Sequence, residues 1–232
     1  MPLALASVGS MLQLFQITGS CSFAARAALE EAGAEYQAVN VHPRRRDETP
    51  EFALVNPLQR VPSVRDGDEL VYETGAVLLY LVERLPGRGL GPLPGEPGRG
   101  ALLRWVTWLA DTLHDAYHPF DVPRFLTDDP AGYEGIQLKG RERLDAHGAY
   151  LERELTGRTW CLGDQFSVAD IYLYMLKGWE NYSGYTLGGD QLAAHYERVG
   201  ARPAIARARE LDDLDERLLR YHPELRAGKP VD

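Results

Sequence analysis

The chain has 232 residues, of which 44% are hydrophobic and 25% are charged, a balance typical of globular rather than disordered proteins. Its 34 Asp and Glu outnumber its 25 Lys and Arg, so the formal net charge is −9. This acidity argues against non-specific binding to nucleic acid or to anionic lipid. No apolar run reaches the length of a membrane-spanning helix.

In the first part of the chain, hydrophobic periodicity and turn residues predict strands and helices in a mixed order. The predicted strands are 12–17, 36–41, 63–65 and 70–72, and the predicted helices are 23–32 and 74–85. The two short strands flank Asp66–Gly67, which is a strong hairpin turn signal. A βαβ unit followed by a hairpin and a helix is the arrangement of a thioredoxin-like domain.

Residues 85–100 are dense in Gly and Pro, which interrupt helices and strands alike, and we interpret 86–100 as a linker. After it, amphipathic patterns predict helices alone, at 102–114, 133–155, 167–179, 191–199 and 203–220. Three prolines, Pro119, Pro123 and Pro130, should interrupt the chain between the first two of these helices. Ser167 and Asp170 have the spacing of a capping box.

The fold class predicted by these patterns is an α/β thioredoxin-like N-terminal domain at 11–85, followed by an all-α C-terminal helical domain at 101–220. Residues 1–10 lack the basic start of a signal peptide. We expect tails at 1–10 and 221–232.

The chain has two cysteines, Cys21 and Cys161, far apart in sequence. We therefore expect no disulfide framework and a cytoplasmic location. The cysteines and histidines have no zinc-site spacing, so we expect no metal. Cys161 is interpreted as a core residue.

Cys21 follows a predicted strand and turn and opens a predicted helix, where free N–H groups and the helix dipole favour a thiolate. Ser22 places a hydroxyl at the same helix terminus. The alternative is a small buried thiol that fills a corner between strand and helix. Position alone does not choose between the two.

Two further segments have the chemistry of ligand binding. Val61–Pro62 precedes the third strand, and a cis bond there would expose the Val61 backbone to an extended peptide, whereas a trans proline would only end a loop. Glu73 and Thr74 open a helix and suit the amine and carboxylate of an amino acid, although Thr74 alone is also an ordinary N-cap.

The remaining candidates are less specific. The arginines at 44–46 can bind a carboxylate or form a solvated face. His114 ends the first helix after the linker, among aromatic residues that include Tyr117. Trp179 either lines a pocket or belongs to the core.

Together these segments resemble the cytosolic glutathione S-transferases, and most closely their bacterial beta class. The similarity extends from residue 11 to about 215. The segments that carry it follow the family's order: 19–23 with 28–33, 56–62, 73–74, 113–119 and 163–170.

The resemblance implies a role for each matching residue. The Val61 backbone, with a cis bond to Pro62, would pair with the cysteinyl unit of glutathione. Glu73 and Thr74 would hold the γ-glutamyl end, and Arg44 would hold the glycine carboxylate. The residues that would lie at the glutathione sulfur are Cys21, Ser22 and His114. Those that would line the acceptor pocket are Tyr117 and Trp179.

The function that the resemblance implies is conjugation of the glutathione thiolate to small electrophiles by a cytoplasmic homodimer active in detoxification. In that dimer, the helices at 102–114 and 133–155 would form the interface. One alternative is a glutathione-dependent thiol–disulfide oxidoreductase or isomerase that uses Cys21 as the nucleophile. The other is a non-enzymatic binding module with the same fold. The acceptor substrate stays open.

Overall fold

The computed structural model describes residues 11–41 and 49–212, and the first part of this range alternates strands and helices. Its strands are β1 (Leu12–Gln16), β2 (Tyr36–Asn40), β3 (Ser63–Asp66) and β4 (Glu69–Tyr72), and its helices are α1 (Ser22–Glu31), α2 (Glu51–Val55) and α3 (Thr74–Arg84). All four predicted strands and both predicted helices are confirmed. The short helix α2 was not predicted.

The four strands form one mixed sheet in the order β2-β1-β3-β4, in which β1 is parallel to β2 and antiparallel to β3. Successive side chains of β1 point to opposite faces. Leu14 therefore packs into the large core with α1 and α3, while Phe15 packs against Phe52 and Val55 of α2 on the other face. This is the thioredoxin-like domain that the sequence predicts.

Turns and bends occupy the residues between Arg84 and Arg99, and the predicted linker at 86–100 stays a proposal, as do the domain boundaries. Beyond it the chain is helical, with two isolated β-bridges between 160 and 165 in the described residues. The helices are α4 (Arg99–Trp108), α5 (His114–Asp121), α6 (Tyr133–Leu155), α7 (Val168–Gly178), α8 (Glu180–Ser183), α9 (Asp190–Gly200) and α10 (Pro203–Asp212). The predicted end of the last helix, 213–220, lies outside the described residues.

The helix predicted at 102–114 does not end there, because a π-helical turn, Leu109–Leu113, joins α4 to α5. Pro119 lies inside α5, so the prediction that it interrupts the helix is wrong. Close packing of α5 on α6 outweighs the local preference of proline: a Cβ added to Gly140 of α6 would lie 2.6 Å from the backbone nitrogen of Phe120.

Helix α7 is buried along its whole length from Val168 to Lys177. The predicted capping box at its start is confirmed, with Ser167 accepting from the Ala169 N–H and Asp170 accepting from the Ser167 N–H at 2.8 Å. Within the described residues, no helix combines the length and the apolar character needed to cross a membrane.

Gly140→Ala should destabilise the protein by about 1–3 kcal/mol, because the added methyl group would collide with the α5 backbone. Urea unfolding followed by circular dichroism measures the change. Gly135→Ala is the matched control on the same helix, since nothing lies within 4 Å of a Cβ there. It should be neutral or stabilise by up to about 1 kcal/mol. Equal effects of the two substitutions would contradict the close packing of α5 on α6.

Candidate active site

Cys21 lies at the start of α1, where the predicted turn brings it beside the loop before β3. Its Sγ donates to the carbonyl oxygen of Val61 at 3.0 Å. The turn is held from the far end of the chain, because the Gly19 N–H donates to Asp212 Oδ2 at 2.9 Å. Two segments separated by forty residues thus meet at the Cys21 sulfur.

The Cys21 side chain is in its neutral thiol form at neutral pH. Burial raises the pKa of this thiol above its usual value, and the nearby Glu73 carboxylate raises it further. The Thr74 hydroxyl and Arg60 act in the opposite direction but do not reverse the shift. The helix start favours a thiolate, but burial of the thiol acts in the opposite direction and raises its pKa, which agrees better with the alternative of a buried thiol between strand and helix.

Ser22 does not reach the site that the sequence predicts for it. Its hydroxyl is fully buried, donates to the Ile17 carbonyl at 2.8 Å and accepts from the Ile17 N–H at 3.1 Å. It also lies 2.8 Å from the Ser20 hydroxyl. Ser22 therefore closes the turn between β1 and α1, and its predicted catalytic role is corrected to a structural one.

The Val61–Pro62 bond is cis, which agrees with the hypothesis that this bond exposes the Val61 backbone and not with a trans proline that only ends a loop. Asn56 shapes the loop before it, since its side-chain amide donates to the Arg60 carbonyl at 2.8 Å and its Oδ1 accepts from the Leu58 N–H at 2.9 Å. The Val61 carbonyl is the acceptor for Cys21. The backbone of Val61 thus lies at the cysteine, where the sequence predicts an extended ligand.

Glu73 and Thr74 lie at the start of α3. Glu73 has φ 73°, a conformation that costs a residue other than glycine about 1–3 kcal/mol and that is frequent at binding sites. Its side chain is exposed. Thr74 is buried, and its nearby hydroxyl acts to lower the pKa values of both Cys21 and Tyr172, against the larger effect of burial.

His114 begins α5 and is half-buried among aromatic rings. Its Nδ1 lies 2.9 Å from the Tyr172 hydroxyl, and its ring contacts that of Trp179 edge to face, with centroids 4.9 Å apart. Burial, reinforced by the neighbouring His118, lowers its pKa to about 4. His114 is therefore a neutral imidazole at neutral pH.

A cavity of about 280 Å³ opens beside Trp179. Its wall includes Ser20 and Phe23 from the first turn and helix, and Tyr174, Tyr182 and Tyr196 from the helical part. Trp179 thus lies between the cavity and His114.

Tyr117 does not line this cavity. It is 1% exposed, and its hydroxyl donates to the Leu176 carbonyl at 3.1 Å. Its ring packs against the ring of Trp179, with centroids 5.2 Å apart. Its predicted place in the pocket is therefore corrected to the core behind Trp179. Arg44, with its two neighbours, lies outside the described residues.

Sequence reasoning missed Tyr172, which is fully buried and links His114 to the Thr74 and Cys21 side. Its apolar neighbours in α7 made it look like an ordinary core residue. Two hydrogen bonds thus frame the site, one from the Cys21 thiol to the Val61 carbonyl and one between the Tyr172 hydroxyl and His114. The Thr74 hydroxyl lies between these two pairs.

Sequence reasoning also missed a buried cluster of three potential metal ligands, Cys161, Asp170 and His195. Their spacing along the chain gives no zinc motif. Asp170 Oδ1 accepts from the Cys161 N–H at 2.7 Å and lies 2.8 Å from His195 Nε2, so hydrogen bonds already occupy it. Burial raises the pKa of the Cys161 thiol well above its usual value, which disfavours the thiolate a metal needs.

Both parts of the chain match known family models. Residues 10–83 match the glutathione S-transferase N-terminal domain, and residues 107–198 match the glutathione S-transferase C-terminal domain. Glutathione S-transferase GstA of Escherichia coli O157:H7 is 28% identical over 207 residues, which cover 88% of this chain and 100% of that protein.

Solved structures of the same kind match over most of their length. A sphingomonad glutathione S-transferase complexed with glutathione has a TM-score of 0.75 and 34% identity, covering 87% of this chain and 99% of that one. A bacterial beta class glutathione S-transferase of Sphingomonas chungbukensis has a TM-score of 0.75 and 30% identity, with the same coverage.

Ser22→Ala should lower the free energy of unfolding by about 1–3 kcal/mol, because the Ile17 N–H and carbonyl would both lose the buried Ser22 hydroxyl as their partner. Turnover per folded molecule should stay unchanged. Thr127→Ala, which removes an exposed hydroxyl that accepts from a backbone N–H, is the control and should cost less. Urea unfolding and steady-state kinetics on the same preparations measure both effects. A variant with full stability but a reduced kcat would restore the catalytic role predicted for Ser22.

Proposed function

The chain belongs to the glutathione S-transferase family, and from this premise we propose that it conjugates the thiolate of glutathione to small electrophiles, with Cys21 as a hydrogen-bond donor to the glutathione sulfur. The observation that carries the assignment of Cys21 is the 3.0 Å contact between its Sγ and the Val61 carbonyl. If the cysteinyl unit of glutathione pairs with the Val61 backbone, its sulfur comes to lie beside the Cys21 thiol.

The rest of glutathione would extend from this point along the start of α3. The exposed Glu73 carboxylate suits the α-amine of the γ-glutamyl unit, and the N-terminus of α3 with the Thr74 hydroxyl suits its carboxylate. The strained backbone of Glu73 supports this proposal, because such strain concentrates where a side chain must face a ligand. Arg44 stays the predicted partner of the glycine carboxylate.

The reaction needs a sulfur anion, since the thiolate is the nucleophile and a free thiol is mostly protonated at neutral pH. A neutral Cys21 thiol can turn from the Val61 carbonyl and donate to that anion. The neutral His114 can donate a hydrogen bond in the same region, and the proton that glutathione loses passes to water. The bond then forms between the glutathione sulfur and the electrophilic carbon of the acceptor, and the leaving group, chloride in the case of an aromatic chloride, departs with the electron pair of the bond that breaks.

The cavity beside Trp179 is the proposed site of the acceptor. Its five aromatic side chains favour a flat apolar electrophile, which can stack on them or meet them edge to face. Its lining by Ser20 and Phe23, on either side of Cys21 in the sequence, supports a place for the acceptor close to the glutathione sulfur.

Thiol–disulfide exchange with Cys21 as the nucleophile is the less well supported of the two enzymatic functions. In that reaction Cys21 itself must be the attacking thiolate, and burial disfavours this form. A non-enzymatic module would bind immobilised glutathione without turning over any electrophile or disulfide.

We also propose a homodimer in the cytoplasm with a role in detoxification. The free thiols of both cysteines fit a reducing compartment. Leu103 on α4 and Leu138 on α6 are 41% and 56% exposed, which supports a partner on the two helices predicted to form the interface. Sedimentation at micromolar protein concentration distinguishes a dimer from a monomer.

Cys21→Ser and Cys21→Ala separate the two enzymatic readings. A hydrogen-bond donor can be replaced by another hydroxyl, so Cys21→Ser should retain conjugation within about tenfold, while Cys21→Ala should lose about a hundredfold in kcat. A nucleophile cannot be replaced in this way, because serine is far weaker near neutral pH. The assay is conjugation of an aromatic chloride, with disulfide reduction measured in parallel. Equal and complete loss of conjugation in both variants would contradict the donor role.

Glu73→Gln and Trp179→Leu should separate the two halves of the site. Glu73→Gln removes a charge-assisted contact to the amine and should raise the KM for glutathione by about tenfold, with little change in the KM for the acceptor. Trp179→Leu should raise the acceptor KM and leave the glutathione KM within about twofold, since the side chain lines the acceptor cavity and its edge-to-face contact with His114 affects turnover rather than glutathione binding. Each variant is the control for the other. Equal effects on both constants would contradict the separate placement of the two substrates.

A further inference from the structure

One hydrogen bond joins His114 to the centre of the helical part. The Tyr172 hydroxyl lies 2.9 Å from His114 Nδ1, and the two rings meet edge to face with centroids 6.1 Å apart. Tyr172 belongs to the buried helix α7 and is itself 0% exposed. Packing therefore holds the phenol end of this contact inside the core, while the half-buried imidazole lies at its edge.

The protonation states of the two groups determine the direction of this bond. Burial raises the pKa of Tyr172, so its phenol keeps the proton, and burial lowers the pKa of His114 to about 4, so its imidazole is neutral. A buried phenol needs an acceptor for its O–H. The hydrogen bonds of the described residues pair the Tyr172 hydroxyl with His114 Nδ1, so the lone pair of that nitrogen is the acceptor for the phenol proton.

We propose that Tyr172 is a positioning residue that fixes His114 as the tautomer protonated on Nε2. An imidazole whose Nδ1 accepts a proton from a neighbour must carry its own proton on the other nitrogen. No hydrogen bond from Nε2 to another described residue competes for that proton. The Nε2–H is thus kept as a fixed donor for the bound substrates, and this inference rests on the function proposed above.

This role explains why the site needs a tyrosine rather than a phenylalanine at this point of α7. A phenylalanine would fill the same volume but leave Nδ1 without a donor. The imidazole would then exchange between its two tautomers, and only one of them presents a proton on Nε2. The replacement would lower kcat rather than raise KM, because Tyr172 is buried in the core and would contact neither substrate.

The wild-type protein provides the first test. Long-range proton–nitrogen correlation spectra of protein labelled with ¹⁵N at histidine report which ring nitrogen carries the proton, and His114→Gln identifies the His114 signals among the six histidines. We expect a protonated Nε2 and an unprotonated Nδ1 at neutral pH. A proton on Nδ1 would overturn the proposal without any variant having to fold.

Tyr172→Phe is the second test. We expect a mixture of His114 tautomers, a kcat about five- to tenfold lower and a KM for glutathione within about twofold of the wild type. Tyr185→Phe is the matched control, because Tyr185 is also buried and its hydroxyl bonds Asp145 at 2.7 Å rather than a residue of the site. That control should leave both the tautomer and kcat unchanged.

The two readouts keep this inference separate from the proposed function. A Tyr172→Phe protein with an unchanged tautomer and an unchanged kcat would overturn the positioning role. If the wild type conjugates no electrophile, the proposed function fails, and the tautomer spectra, recorded without substrate, still decide whether Tyr172 sets the proton on His114.

Discussion

The buried carboxylate of Asp170 is the constraint on which the helical part of the site depends. A carboxylate in the core is strongly destabilising unless donors surround it. Here the N–H groups of Ser167 and Cys161 lie at 2.8 and 2.7 Å, and His195 Nε2 lies at 2.8 Å. Ser167 is the N-cap of α7 itself, whereas Cys161 lies in the preceding loop and His195 in α9, so these two contacts fix the start of α7 relative to other segments.

The position of α7 in turn sets the chemistry of the site. Tyr172 follows Asp170 by two residues and contacts His114. Trp179 comes seven residues after Tyr172, which is nearly two helical turns, so it lies on the same side of the helix axis. There it separates His114 from the cavity. The same helix therefore supplies the partner of the histidine and a wall of the cavity. A capping interaction with no direct contact to substrate thus controls where the functional side chains lie.

The two parts of the chain meet at the start of α3 because Gly75 has no side chain. A Cβ there would lie 3.3 Å from Val106 Cγ1 and 3.4 Å from the Cβ of Ala110, so an added methyl group would need Val106 to shift slightly, and a bulkier side chain would crowd α3 against the helices that lead to His114. The neighbouring Thr74 would then lose its place between Cys21 and Tyr172. One continuous core cluster includes residues from both parts, which agrees with this close contact.

Local patterns were sufficient to predict the strands, the hairpin at Asp66–Gly67, the long helix α6 and the capping box, since each depends on residues close in sequence. Features that depend on distant partners were not predictable in this way. The partner of Tyr172 is 58 residues away, and Pro119 is tolerated because of packing against a different helix.

The predicted roles of Ser22 and Tyr117 failed for the same reason. Position along the chain placed both residues next to the site, but their hydroxyls are buried and bonded to backbone carbonyls. Only the three-dimensional structure shows which way a side chain points from a turn or from a helix. The part of the site that sequence did locate, from Val61 to Thr74, uses backbone geometry and helix ends, which leave clearer local signals.

The raised pKa of Cys21 follows from the task that we propose for it. A thiolate at Cys21 would lie next to the sulfur anion of glutathione, and two unit charges about 4 Å apart repel by about 4 kcal/mol at an effective dielectric constant of 20. That repulsion would lower the population of the glutathione thiolate by about a thousandfold. Burial keeps Cys21 protonated and His114 uncharged, so each enters the site as a neutral hydrogen-bonding group. The same burial that weakens Cys21 as a nucleophile therefore makes it compatible with a second sulfur that must carry the negative charge.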